Sequence, residues 1–302
     1  MEAHVLLYPR LMRNALTIDL EDYYQVTAFA NSNGAANWDS HDSHVEKNTA
    51  KILEILGSVN CRATFFALGW VAEKYPHLIR QIAELGHEVG CHSDKHRVVY
   101  SMTPAEFKED THRAKQMLED AGGIIVSGYR APSFSITRHS YWAFEALAEL
   151  GFVYDSSIFP VKHLNYGMPT APRFPFRVET RFGPIVEFPM PTLSLGSARS
   201  PIGGGAYLRL LPYRYTRWGI RYINNRENQP VCVYLHPWEL DPQQPRMRGS
   251  LTARARHYFG LRGTEAKLRK LLVDFEFCPI ETLVAQYSVP SNGNPPTDLV
   301  ST

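Results

Sequence analysis

Gly86–His96 reads GHEVGCHSDKH. Its first part, His87–Cys91, alternates polar and apolar residues and predicts a short strand. Two imidazoles follow, His92 and His96, four residues apart. On a helical turn positions i and i+4 share a face, so both rings would reach a single metal ion. Neutral imidazole suits zinc, and also cobalt, nickel or iron. The chain holds 12 histidines, so a solvated surface pair is the competing reading. The residues around the pair have to decide.

Working outward, the same pattern recurs on both sides. Asn14–Leu20 is an apolar strand that runs into Asp19, Glu21 and Asp22, and three carboxylates at a strand end are costly unless cations or donors neutralise them. A solvated acidic turn is the alternative. The loop from Tyr23 to Asp42 is long enough to be functional. Ser43-His44-Val45-Glu46 has capping-box spacing and opens a helix that stops at Gly57. Arg62–Leu68 predicts a second strand, and the next helix closes at Gly86. Thr103-Pro104-Ala105-Glu106 starts another helix, which ends near Gly122-Gly123. Ile125–Arg130 delivers Arg130 and Phe134 to a loop; a helix over residues 139–150 follows, and Phe152–Tyr154 leads into Asp155.

This β-α-β-α rhythm implies parallel strands with helices outside. Every polar cluster falls just after its strand, and parallel α/β folds build their sites at that edge. From Phe159 to Gly205 prolines interrupt the rhythm, consistent with insertions walling one side of the site. An arginine- and tyrosine-rich helix (Tyr213–Asn225) precedes the last strand, Val231–Leu235, which ends in His236-Pro237-Trp238-Glu239. Leu251–Phe275 reads as mostly helical. The arginines of 209–226 and 246–256 read most simply as a solvated face, with an anionic glycan or a membrane-associated synthase as the alternative partner, and Trp38 and Trp70 read as core.

Bulk properties narrow the function. A formal charge of +2 over 302 residues gives no whole-chain reason to expect nucleic acid or a membrane surface as partner. Cys61, Cys91, Cys232 and Cys278 are too scattered for a disulfide framework and read as small core residues. No apolar run reaches membrane-spanning length. The first residues lack a basic start, a long apolar region and a small-residue cleavage site, so a cytoplasmic location is the expectation.

Taken together, TIDLED (17–22), HSDKH (92–96), RAPSF (130–134), DSS (155–157) and VYLHP (233–237) resemble, in order and spacing, the five motifs of the polysaccharide deacetylases (carbohydrate esterase family 4, the NodB-homology domain). The opening Thr17-x-Asp19-x-Glu21-Asp22-Tyr23-Tyr24-Gln25-Val26 and the long C-terminal part resemble the subgroup found in exosortase-associated exopolysaccharide loci. The resemblance implies an α/β fold, a distorted, incomplete (β/α) barrel of the seven-stranded type with a C-terminal helical extension. Residues 14–240 would form the catalytic domain, 241–288 an extension packed on the barrel, and 289–302 a disordered tail.

The resemblance also implies roles. A divalent ion, zinc foremost, would be held by His92, His96 and one carboxylate of the first motif, leaving positions open for water and substrate. Asp19 would be the general base, held by Arg130, and His236 the general acid. Asp155 would support the arginine or the histidine, and a backbone N–H near Phe134 would face the oxyanion. Trp238, like Trp38 and Trp70, reads first as core, and its place beside His236 makes stacking on a sugar face the alternative. The first motif departs from the usual adjacent aspartates, so the ligand is Glu21 or Asp22, with Asp22 preferred for its shorter arm. The third motif ends in Phe134 where tyrosine is usual, which removes a hydroxyl. The implied reaction is removal of N-acetyl groups from a hexosamine-containing glycan. The same site on peptidoglycan or a small cyclic amide, and a degenerate glycan-binding protein, are the alternatives.

Overall fold

The computed structural model describes residues 12–30, 33–163, 166–196 and 198–287; the segment 289–302, expected to be a tail, lies outside them. β1 (Arg13–Leu20) is the spine of the sheet, buried from its second residue onward, as a parallel strand covered on both faces must be. There follow α1 (Val45–Gly57), β2 (Thr64–Ala67), α2 (Gly69–Lys74), α3 (Pro76–Glu84), β3 (Glu88–Cys91), α4 (Pro104–Gly122), β4 (Gly128–Tyr129), α5 (Ala143–Glu149) and β5 (Tyr154–Asp155). The expected capping box opens α4: the Thr103 hydroxyl accepts from Glu106 N–H, and Glu106 accepts from Thr103 N–H. Gly123, with φ of 64°, closes that helix in the left-handed conformation.

Beyond β5 come β6 (Phe176–Val178), β7 (Ile185–Glu187), a hairpin of β8 (Thr192–Leu195) and β9 (Ala198–Pro201), α6 (Gly205–Leu210), α7 (Tyr213–Tyr222) and β10 (Cys232–Leu235). The last described elements are α8 (Leu251–Tyr258), α9 (Leu261–Asp274), β11 (Glu276–Cys278) and α10 (Ile280–Val284). The sheet runs β10-β1-β2-β3-β4-β5-β7-β6, parallel throughout except for β6 on β7. The two ends of this path do not pair with each other, so the expected incomplete barrel is the observed one. Its interior is tight: a Cβ on Gly128 would stand 2.0 Å from Cζ of Tyr154, so only glycine fits there. The four cysteines are free and buried.

The C-terminal segment differs from expectation. It is not only helical and not only packed on the outside, because β11 pairs in parallel with Arg13–Ala15 of β1. β10 already occupies the opposite flank of Ala15, so β11 fills the flank that β2 takes over from Thr17. Two further contacts fasten it there. Ile280 N–H donates to the Thr64 hydroxyl, and Glu281 N–H to the Glu88 carboxyl.

Glu88 lies at the start of β3 and also accepts from Thr64 Oγ1 at 2.5 Å and Tyr154 Oη at 2.6 Å. Burial outweighs these donors and pushes its carboxyl from 4.5 to about 7. The unfolded chain then releases this proton first, so stability is lost as pH rises from 4.5 through 7. Glu88→Gln should leave the melting temperature unchanged at pH 4.5 and raise it at pH 8, by the equivalent of up to ~3 kcal/mol. Thermal melts showing the same difference at both pH values would contradict this account.

Candidate active site

Five strands bring functional groups to the carboxyl edge of the sheet: Asp19 at the end of β1 with Glu21 just after it, His92 after β3, Arg130 after β4, Ser156 after β5 and His236 after β10. Asp19, Glu21, His92 and His236 line one cavity of roughly 260 Å³, and Arg130 is buried against Asp19. Glu21, His92 and His96 each offer a donor atom within 4.8 Å of the others. His92 and His96 do not lie on a helical turn. The chain after β3 is a loop in which Ser93 (φ 67°) and His96 (φ 53°) take left-handed backbone, and this reversal turns the second ring back toward the first.

The orientation of these groups is set by their partners. His92 Nδ1–H donates to the carbonyl of Arg130 at 2.7 Å, which leaves Nε2 with its lone pair facing the cluster. His96 Nδ1 is 3.3 Å from the Thr27 hydroxyl, and its Nε2 is 2.9 Å from Glu21 Oε2. Burial alone would raise the Glu21 carboxyl, but His96, His236 and His92 outweigh it and bring it to about 2. Burial holds His92 down, at about 4, and so neutral.

Arg130 is fully buried, which is tolerable only if every donor is used. Its Nη1 donates to Thr17 Oγ1 and Asp19 Oδ1, each at 2.7 Å. Nη2 donates to Ser156 Oγ and Cys232 Sγ, and Nε to the Ser156 carbonyl. The guanidinium also lies 4.3 Å from the Phe66 ring centroid. Asp19 thus has one oxygen fixed, while Oδ2 stands 3.8 Å from His236 Nε2.

His236 has its own support, which the sequence reading missed. Glu239 is buried, accepts from His236 N–H at 3.0 Å, and places Oε2 3.2 Å from His236 Nδ1. Arg209 Nε donates to the other oxygen at 2.5 Å. Burial lowers the His236 pKa, but Glu239, Glu21 and Asp19 reverse that and lift it to about 9. The i, i+3 spacing of His236 and Glu239 was the available signal. Arg209 had none: expected on a solvated face, it is buried and also donates to three carbonyls of residues 256–259.

Three expected roles need correction, and a fourth is reassigned. Asp22 is not beside the histidines: its Oδ2 accepts from Ser43 Oγ, His44 N–H and Val45 N–H, so it caps α1 in place of the Ser43–Glu46 box. Asp155 reaches neither Arg130 nor His236 by hydrogen bond; it accepts from Ser157 and lies against Glu187, whose carboxyl burial and Asp155 push well upward. Its neighbour Ser156 holds the arginine instead. The N–H of Phe134 is engaged with the Ala131 carbonyl at 3.1 Å, and its ring packs against Phe159 and Tyr234. Trp238 is buried and stacked with His236 and His257, so it offers no open face to a sugar. Its Nε1–H donates to Glu21 Oε1 at 3.3 Å, making it a positioning residue. Trp38 and Trp70 pack edge to face in the core, as expected.

With this geometry in view, comparison with known proteins is informative. Residues 35–154 match the family described as polysaccharide deacetylase. That part of the chain carries a polysaccharide deacetylase domain. Residues 156–285 match a domain of unknown function, DUF3473. A peptidoglycan-N-acetylglucosamine deacetylase of Bacillus cereus is 33% identical over 98 residues, 32% of this chain and 36% of that protein. A peptidoglycan deacetylase of Helicobacter pylori is 27% identical over 113 residues, 37% of this chain and 38% of that protein. The chain therefore spans little more than a third of the length of these curated relatives. A Mycobacterium smegmatis structure assigned to the polysaccharide deacetylases superposes with a TM-score of 0.60 at 19% identity, covering 96% of each chain. One from Pseudomonas aeruginosa gives 0.58 at 14% identity, covering 90% of this chain and 89% of its own. Both likenesses are of fold.

The sheet does not divide where the first match ends. The DUF3473 stretch supplies β7 and β10 to the same sheet, and Ser156, Arg209, His236 and Glu239 to the same site. Asp22→Ala should remove the cap of α1 and cost about 1–2 kcal/mol of stability in urea titrations. A change within a few tenths of a kcal/mol would show that the cap does not matter.

Proposed function

We propose that this chain is a metal-dependent hydrolase that removes N-acetyl groups from a hexosamine-containing glycan. One observation carries this reading: Asp19 and His236 face each other, 3.8 Å apart, beside a buried cluster of two imidazoles and a carboxylate. The donors fit a divalent ion. Glu21 Oε2 is buried with only the His96 ring nitrogen, at 2.9 Å, facing it, and His92 has its proton committed to the other ring nitrogen. Glu21, His92 and His96 would hold the ion, and the mixture of imidazole and carboxylate favours zinc. Bound there, the ion would polarise the amide carbonyl and acidify water.

The remaining work falls to the chain's own residues. Asp19, one oxygen held by Arg130 and Oδ2 turned toward His236, takes a proton from the attacking water. The water oxygen bonds to the acetyl carbon. His236 then gives its Nε2 proton to the amine nitrogen as the C–N bond breaks, releasing acetate and the free amino sugar. Glu239 and Arg209 hold the imidazole in place for that transfer. A role in exopolysaccharide assembly rests on the resemblance of the first motif and the C-terminal part.

The Asp19-x-Glu21 arrangement keeps a second reading open, because a branch of the family that acts on small cyclic amides has the same one-residue spacing. Metal analysis combined with acetate release from N-acetylated oligosaccharides, and ring opening of a cyclic amide, separates the two. Asp19→Asn should retain metal and lose at least about 10²-fold in kcat. His92→Ala and Glu21→Gln should lose metal. Full activity in Asp19→Asn would refute the base assignment, and stoichiometric metal in His92→Ala would refute the ligand set.

A further inference from the structure

The same cavity has a second charged wall. It is built by α8, whose Ala253, Arg256 and His257 fall at i, i+3 and i+4 on one helical face and all line the cavity. Alanine at the first of these positions leaves room beside the cation.

The carboxylates lining this cavity are each matched already. Asp19 has Arg130 at 2.7 Å, Glu21 has His96 at 2.9 Å, and Glu239 has Arg209 at 2.5 Å. Arg256 differs from these cations. The groups acting on it are the phenols of Tyr166, Tyr234 and Tyr207; Tyr166 and Tyr234 line the same cavity, and Tyr166 Oη is 3.1 Å from Tyr207 Oη. Among the described residues no carboxylate pairs with it, and the side chain stays exposed. The surrounding sequence is basic as well: residues 199–270 contain 14 Lys and Arg against four Asp and Glu, with Arg246 and Arg254 exposed on the same segment. Such a field raises the local concentration of anions at the mouth of a cleft.

We infer that Arg256 and the Tyr166 hydroxyl form an anion-recognising subsite, and that the glycan carries a negative group on or next to the sugar that loses its acetyl group. This rests on the deacetylase reading above. An exposed guanidinium at the cavity wall suits the two oxygens of a carboxylate or a phosphate. The group is therefore a uronate on the neighbouring sugar or a glycosyl phosphate.

Three probes decide. Tetra-N-acetylchitotetraose is neutral, a hyaluronan tetrasaccharide carries carboxylates, and di-N-acetylchitobiose 1-phosphate carries a phosphate. With the metal-loaded protein, at least one anionic probe should exceed the neutral one in kcat/KM by about tenfold, the size of one charge-assisted hydrogen bond. Whichever probe wins identifies the source of the charge. Arg256→Ala should abolish that preference, Arg256→Lys should keep only part of it, since an ammonium retains the charge but not the two-oxygen fit, and 0.5 M salt (on the order of a 4 Å Debye length) should weaken it. Circular dichroism confirms that the variants fold. No preference in the native protein, or a preference that survives in Arg256→Ala, would overturn the subsite. If none of the probes releases acetate, the deacetylase reading fails instead. Calorimetric titration with the same three ligands then decides the subsite, and equal affinities for all three would overturn it.

Discussion

A guanidinium with no access to water is the constraint on which the rest of this structure depends. Burying the Arg130 charge would cost several kcal/mol if it were unpaired, and the fold meets that cost by bringing five strands to it. Thr17 and Asp19 come from β1, Ser156 from the end of β5, Cys232 from β10 and the ring of Phe66 from β2, while Arg130 itself ends β4. Its backbone carbonyl fixes the tautomer of His92 from β3. One residue therefore holds the base by its side chain and a candidate metal ligand by its main chain. The sheet cannot open without stranding a charge, so its curl and the geometry of the site are the same requirement.

The C-terminal part is bound into that arrangement more deeply than an appended segment would be. β11 takes the flank of β1 that β2 leaves empty, and Glu281 reaches the buried Glu88 carboxyl at the opposite end of the strands from the site. At the site end, His257 stacks on Trp238 at 4.1 Å, with its ring Nε2 2.8 Å from Gln244 Oε1. Trp238 in turn donates to Glu21. A continuous set of contacts thus runs from α8 to a candidate metal ligand, which explains why a stretch with its own family match shares one core and one cavity with the deacetylase domain.

Much of this was legible from sequence because strands bounded by polar clusters obey a simple rule. An apolar run that ends in chemistry, repeated five times, predicts both the parallel sheet and the edge where the residues meet. What was not legible depended on facing and on distant partners. Asp155 and Ser156 are adjacent at a strand end, where successive side chains point to opposite sides. The motif picks out the aspartate, but the serine faces the arginine. Choosing Asp22 over Glu21 on arm length ignored the unpaired N–H groups that open α1 some 20 residues later, groups that no local pattern identifies as partners of this carboxylate. The buried Arg209 lay in a basic stretch that composition alone describes as solvated.

The backbone around the site shows why the His92–His96 spacing was easy to misread. A helical turn brings i and i+4 together with every residue in the αR region. Here the pair is closed by left-handed residues at Ser93 and His96, and facing it across the cavity Ser133 and Phe134 also have positive φ. Each is a non-glycine residue in a sparsely populated region, and each costs of order 1 kcal/mol unless its surroundings over-determine it. They are held by short contacts between the two loops: the Thr27 hydroxyl is 2.7 Å from Ser133 Oγ and 3.3 Å from His96 Nδ1, and Ser135 Oγ accepts from Val99 N–H at 2.9 Å. The same strain that hides the geometry from a spacing rule fixes it in the folded chain. A helix would let the two rings drift with the flexing of a whole turn, whereas two left-handed residues clamped across a cavity allow them one separation.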